Sequence, residues 1–240
     1  MRVPCDSARV QPGNRLIVAL DVATRAQAED LLRRLEGVPS WVKIGLELFT
    51  AVGPAIVEEI AAKGTSVMLD LKLHDIPETV ARATASVARL GASLCTVHAA
   101  GGRAMLEAAV AGAGNMKILA VTVLTSLDER DLANIGAMGP MSELVVKRAQ
   151  LAMDAGCGGV VASPGEVSAL RAALPPESWL VTPGIRPTGS PAGDQKRITT
   201  PAQARLAGAD LIVVGRPIRD AADPAQAARA IVAELAAVQS

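Results

Sequence analysis

From Leu16 onward one theme recurs eight times: a short apolar run rich in β-branched residues, followed by an Ala-rich stretch with helical spacing. The runs expected to be strands are 16–22, 41–48, 67–73, 94–99, 117–124, 159–163, 179–185 and 211–216. Their first and last starts, Leu16 and Leu211, lie 195 residues apart across seven intervals, about 28 residues per unit. That is close to the minimum for a strand, a crossover helix and two loops. Strict alternation of strand and helix implies a parallel sheet, and eight units of this size favour closure into a single (β/α)8 TIM barrel over an open doubly wound sheet. A chain of 240 residues could hold two small domains, yet α/β barrels use this length for one. No linker interrupts the series, so the expected organisation is an N-terminal arm over 1–15, which has no apolar signal core, and one barrel domain over 16–240.

Half of the residues are hydrophobic, with one Phe, two Trp and no Tyr. A sizeable aliphatic core is therefore available, while stacking of aromatic side chains on bases is not expected. The 24 basic and 24 acidic residues cancel, which removes the general attraction to nucleic acid or anionic membrane that a basic excess supplies. No apolar run reaches the roughly 20 residues of a membrane span. A small-molecule partner is the remaining expectation. Cys5, Cys95 and Cys157 are odd in number and widely spaced, which fits buried reduced thiols better than a disulfide framework or a zinc site and points to the cytoplasm. Two histidines are too few for a His-centred metal site or a catalytic triad, so His98, at the end of the fourth run, reads as structural.

The chemistry concentrates in residues 67–79, V-M-L-D-L-K-L-H-D-I-P-E-T. Side chains two apart on a strand share a face, so Asp70 and Lys72 project together, while His74, of opposite parity, reads as outward or packing. Asp75 follows just beyond, before Pro77, a residue suited to the first turn of a helix. Neighbouring carboxylates favour the ammonium form of Lys72, which suits delivery of a proton to a developing carbanion. Asp21 ends the first run; it could cap the following helix, although Thr24 could do so instead. Lys43, early in the second run between Val and Ile, needs a carboxylate partner. Asp21, Lys43, Asp70 and Lys72 come from three consecutive strands, and their convergence at one mouth favours a functional reading over isolated ion pairs.

Elsewhere, L-I-V-V-G-R-P-I places Gly215 and Arg216 at the exit of the eighth run, where barrels often bind phosphate through backbone N–H groups and a bidentate guanidinium. The long loop R-P-T-G-S-P-A-G-D-Q-K-R has the composition of a mobile lid, with Arg186 and Gln195 as candidate ligands. Gly/Pro/Ser clusters at 136–142 and 186–193 both fall on the strand-to-helix side, where barrel sites are built. Thr125 and Ser126 are expected to finish the fifth run, where they could bond a polar ring or merely form a cap or turn.

The ordered segments A-L-D, V-K-I-G, L-D-L-K-L-H-D-I-P-E-T, V-H-A-A-G-G, V-T-V-L-T-S, V-T-P-G-I-R, D-Q-K-R and V-V-G-R resemble orotidine 5′-phosphate decarboxylases in their short bacterial form. The resemblance covers nearly all of residues 16–218 and leaves the arm outside it. It implies a β/α barrel paired as a homodimer, acting in de novo pyrimidine biosynthesis on orotidine 5′-phosphate to give uridine 5′-phosphate, with no metal or organic cofactor. By position it implies Lys72 as proton donor, Asp70 facing the substrate carboxylate, and Asp21 and Lys43 on ribose hydroxyls and completing the charge network. Asp75, Ile76 and Thr79 would reach the partner subunit's site. Thr125 and Ser126 would lie on the pyrimidine side, with Arg186, Gln195, Gly215 and Arg216 on the phosphate. Two other readings compete: a metal-dependent barrel similar to 3-keto-L-gulonate 6-phosphate decarboxylase, which has a metal-binding glutamate where Lys43 stands, and a non-catalytic nucleotide-binding barrel.

Overall fold

The computed structural model describes residues 15–187 and 199–238. The expected arm therefore lies outside the described residues except for Arg15, as does the expected lid except for Arg186 and Pro187. Eight strands, β1 (Leu16–Ala19), β2 (Trp41–Gly45), β3 (Ser66–Leu73), β4 (Leu94–His98), β5 (Lys117–Val121), β6 (Gly159–Val161), β7 (Trp179–Thr182) and β8 (Leu211–Val214), pair in parallel in chain order, and β8 closes on β1. The expected (β/α)8 barrel is the fold. Around it run α1 (Arg25–Arg34), α2 (Leu46–Val52), α3 (Ala55–Ala62), α4 (Pro77–Arg89), α5 (Gly102–Gly112), α6 (Glu129–Asn134), α7 (Met141–Asp154), α8 (Val167–Ala173), α9 (Pro201–Leu206), α10 (Arg216–Arg219) and α11 (Pro224–Ala237). Among the described residues no helix is long and apolar enough to cross a membrane.

Strand starts fall within one residue of the sequence expectation, but most strands end earlier than expected. β2 stops at Gly45 because Leu46 already opens α2, and β8 stops at Val214 because Gly215 turns the chain into α10. An apolar run does not by itself distinguish the end of a buried strand from the first turn of a buried helix.

Alternate strand residues separate into two apolar clusters. Ile17, Met68, Leu94, Leu119, Val181 and Leu211 belong to the cluster inside the barrel, whereas their neighbours Leu16, Val67, Cys95, Ile118, Leu180 and Ile212 belong to the core between strands and helices. The period of two thus decides which residue faces the barrel axis. At the N-terminal end of the strands Trp41 and Trp179 pack on the inner cluster and meet edge to face, with ring centroids 6.1 Å apart. The ammonium of Lys117 lies 5.5 Å from the Trp179 ring centroid, a cation–π contact. At the opposite end the inward parity of β1, β2, β3 and β4 continues into polar residues.

Candidate active site

Lys43 joins two carboxylates from neighbouring strands. Its Nζ donates to Asp21 Oδ1 at 2.8 Å and lies 3.7 Å from Asp70 Oδ2, while Lys72 Nζ donates to Asp70 Oδ1 at 2.8 Å and Oδ2 at 2.9 Å. The four charges expected to converge therefore form a continuous row of alternating sign. Because β2 ends at Gly45, Lys43 stands two residues from the strand's C-terminal end, at the mouth, rather than early in a longer strand. Asp21 lies two residues past β1 and is free for this role because Thr24 caps α1, accepting from Gln27 N–H in a reciprocal capping box.

Burial is deepest at the centre of the row: Lys43 and Asp70 side chains are 11% and 13% exposed, against 41% for Asp21. Removing one partner of such a pair leaves a charge stranded away from water, a change that costs about 3–5 kcal/mol in typical buried pairs. Burial alone would push the Asp70 carboxyl up. The charges of Lys43 and Lys72, with hydrogen bonds from Lys72 and Thr96, outweigh it and hold Asp70 below the ordinary carboxylate range.

Lys72 reaches Asp70 from an unusual backbone. Its φ is +51°, in the left-handed region, which costs a non-glycine residue of order 1–3 kcal/mol unless surrounding contacts compensate. The pairing of β3 with β4 changes register here, from Leu69 opposite Cys95 to Leu73 opposite Val97. The shared face expected from a flat strand is thus achieved through a bulge. Thr96, wholly buried in β4, bonds both sides of it: Lys72 N–H donates to Thr96 Oγ1 at 2.9 Å, and Thr96 Oγ1 donates to Asp70 Oδ1 at 2.9 Å.

The β8 exit borders the same row. A Cβ added to Gly215 would lie 3.6 Å from Asp21 Oδ2, and Arg219 Nη1 in α10 donates to the Asp21 carbonyl at 2.7 Å. Arg216 opens α10 and is exposed. Arg186, past β7, is buried, and its N–H donates to Thr199 O at 3.1 Å.

A model of the orotidine 5′-phosphate decarboxylase / HUMPS family matches residues 14–231. The chain belongs to this family. A relative named orotidine 5′-phosphate decarboxylase, from Anaeromyxobacter sp. (strain K), is 56% identical over 227 residues, spanning 94% of this chain and 100% of the relative. Another of the same name, from Moorella thermoacetica, is 48% identical over 241 residues, spanning 96% of each. The crystal structure of orotidine 5′-phosphate decarboxylase from Lactobacillus acidophilus is 39% identical, with a TM-score of 0.85 over 93% of this chain and 100% of that one.

Not every residue that the family resemblance singles out joins the row. Asp75, Ile76 and Thr79 are exposed, at the end of β3 and the start of α4, and among the described residues the Asp75 carboxylate accepts only from Ile76 N–H, at 2.6 Å. Within one chain Lys72 is therefore paired with Asp70 and not bracketed by Asp75. Thr125 and Ser126 do not finish β5, which stops at Val121; they sit exposed in a turn closed by Leu127 N–H donating to Leu124 O at 3.0 Å. Gln195 lies outside the described residues. His74 packs as expected, its ring centroid 5.5 Å from that of His98. Burial, and then the electrostatic influence of His74, Lys72 and Arg148, lower the His98 pKa, with Asp70 opposing them.

Two residues were not legible as site components. Gly45 leaves room for the charged row: a Cβ there would lie 2.9 Å from Lys43 Nζ and 3.3 Å from Asp21 Oδ1. Thr96 shares the inward parity of His98 and lies on the strand next to β3, a signal present in the sequence but carried by a residue type that more often packs or caps.

Proposed function

We propose that this chain decarboxylates orotidine 5′-phosphate to uridine 5′-phosphate in pyrimidine biosynthesis, as a homodimer in the cytoplasm. The observation that carries this reading is the alternating row Asp21–Lys43–Asp70–Lys72 at the barrel mouth of a chain in this family. The bond between the ring carbon and the substrate carboxylate breaks, the electron pair stays on the ring carbon, and carbon dioxide leaves. The Lys72 ammonium supplies the proton that quenches the carbanion and is later reprotonated from water. An ammonium fixed by Asp70 needs little reorganisation as negative charge develops, so it stabilises the transition state more than the ground state.

Asp70 also faces the departing carboxylate, Asp21 and Lys43 bind ribose hydroxyls, and Thr125 and Ser126 contact the pyrimidine. Gly215, Arg216, Arg186 and Gln195 hold the phosphate. Asp75, Ile76 and Thr79 serve the partner's site, consistent with their exposure in the single chain. The barrel from residue 16 onward acts as one catalytic domain, with the residues before it an arm.

Lys43 argues against the metal-dependent alternative. Its ammonium, 2.8 Å from Asp21 and 3.7 Å from Asp70, already satisfies the carboxylates that would attract a divalent cation and repels one electrostatically. The deciding experiment follows the ultraviolet absorbance of orotidine 5′-phosphate with and without excess EDTA. Turnover undiminished by the chelator is expected. Loss restored by Mg²⁺ favours the metal-dependent enzyme, and binding of uridine 5′-phosphate without turnover favours the non-catalytic barrel.

A further inference from the structure

Between the pairs Leu69–Cys95 and Leu73–Val97, β3 spends three residues, Asp70, Leu71 and Lys72, where β4 spends one, Thr96. A bulge of this kind breaks the regular ladder and leaves main-chain groups that need other partners. Thr96 answers with its side chain. Its hydroxyl has one proton to give and lone pairs to accept with; it gives the proton to Asp70 Oδ1 and accepts Lys72 N–H, both at 2.9 Å. The residue is 0% exposed, so water cannot take over either bond, and its branched Cβ restricts the hydroxyl to few directions.

We propose that Thr96 is a positioning residue for the proton transfer, one hydroxyl that holds the Lys72 main chain in its left-handed bulge and the Asp70 carboxylate beneath the ammonium. This rests on the decarboxylase reading above. Thr96 does not touch the substrate; it acts through the two residues that do. Its hydroxyl on Oδ1 turns the carboxylate so that both oxygens meet Lys72 Nζ, at 2.8 and 2.9 Å, while Oδ2 stays 3.7 Å from Lys43 Nζ. Without the hydroxyl, Asp70 loses a donor to its charged form and the bulge loses its lock, so the ammonium is held less accurately over the reacting carbon.

The test compares wild type, Thr96→Val and Thr96→Ser, measuring kcat and KM for orotidine 5′-phosphate and Kd for uridine 5′-phosphate. Misplacement of a catalytic group by about an ångström can cost about 100-fold, so Thr96→Val should lose about 10- to 100-fold in kcat with the product Kd changed by less than about threefold. Thr96→Ser, which keeps the hydroxyl, should restore most of kcat. The acid limb of the kcat profile should move to higher pH in Thr96→Val, because a bond favouring the ionised Asp70 is gone. Should Thr96→Val fail to fold, Thr96→Cys replaces it: a thiol of similar size but weak hydrogen bonding, expected to fall well below Thr96→Ser in kcat. Unchanged kcat, a loss confined to KM, or equal damage in Thr96→Ser overturns the proposal while the wild-type activity stands. Absence of wild-type turnover overturns the decarboxylase reading itself, and this inference with it.

Discussion

Gly45 shows how a residue without a side chain can shape a charged site. A methyl at this position would press on Lys43 Nζ at 2.9 Å and Asp21 Oδ1 at 3.3 Å, so the strain of Gly45→Ala falls on the movable ends of the ion pair rather than on backbone. Strain taken up by movable side-chain ends costs little stability but displaces the charges, so steady-state kinetics should show about a tenfold or greater loss in kcat/KM with only a small fall in melting temperature. The reverse pattern, a destabilised but fully active variant, would remove the Asp21–Lys43 pair from the working site. The buried thiols make a second prediction. Burial, the charge of Asp70 and an opposing bond from the Thr96 main chain leave the Cys95 pKa at about 12, and burial pushes Cys157 to about 12 as well. An unfolded thiol loses its proton near pH 8.5. Above that pH the native state binds more protons than the unfolded state, so stability falls as pH rises, by about 1.4 kcal/mol per pH unit for each thiol until the folded thiols titrate. Urea midpoints between pH 8 and pH 10 should therefore decline less steeply in the Cys95→Ala/Cys157→Ala variant than in wild type.

Element packing places the segment that follows β3. Helices α4 and α5 pack closely at Gly112, where an added Cβ would lie 2.3 Å from Ala81 O and 2.4 Å from Thr84 Oγ1. Alanine gains up to about 1 kcal/mol over glycine as a helix former, but overpacking against a main-chain carbonyl costs about 1–3 kcal/mol. The clash wins, and Gly112→Ala should lower the melting temperature by a few degrees, about 2–4 °C for each kcal/mol in a chain of this size. Since α4 begins at Pro77, its displacement also moves Asp75 and Ile76. On the far rim, Arg216→Ala should raise KM for orotidine 5′-phosphate by about 10- to 100-fold, the worth of a charge-assisted contact, with little change for the phosphate-free nucleoside; equal damage to both would take Arg216 off the phosphate. Strand order, closure and the convergence of Asp21, Lys43, Asp70 and Lys72 were legible in the sequence, because consecutive strands become neighbours and a period of two fixes the facing of the first three, though not the backbone by which Lys72 joins them. Strand ends were not, since Leu46 and Gly215 continue apolar runs while the backbone has already turned. Nor was the bulge at Lys72, whose left-handed φ is held by Thr96 from another strand, a long-range cause that no local pattern encodes.

At the scale of the whole molecule, the exposure of Asp75, Ile76 and Thr79 bears on subunit composition. If Asp75 serves the partner's site, Lys72→Ala and Asp75→Ala, each inactive alone, should rescue one another when co-refolded. A mixed dimer gathers both lesions in one site and leaves the other intact. With random pairing at equal amounts about half the dimers are mixed, so roughly a quarter of wild-type activity per site should return. No recovery, with mixed dimers verified by differential tags and Asp75→Ala shown inactive, would confine each site to one chain. The closed base of the barrel sets a different constraint. Trp41 and Trp179 cover one end of an interior filled by Ile17, Met68, Leu94 and Leu211, so among the described residues no passage runs through the axis. The site is a cul-de-sac. On the decarboxylase reading proposed above, substrate enters and uridine 5′-phosphate leaves by one doorway, which makes the nucleotide the stopper in its own exit: a fresh substrate waits until the product has cleared the entrance.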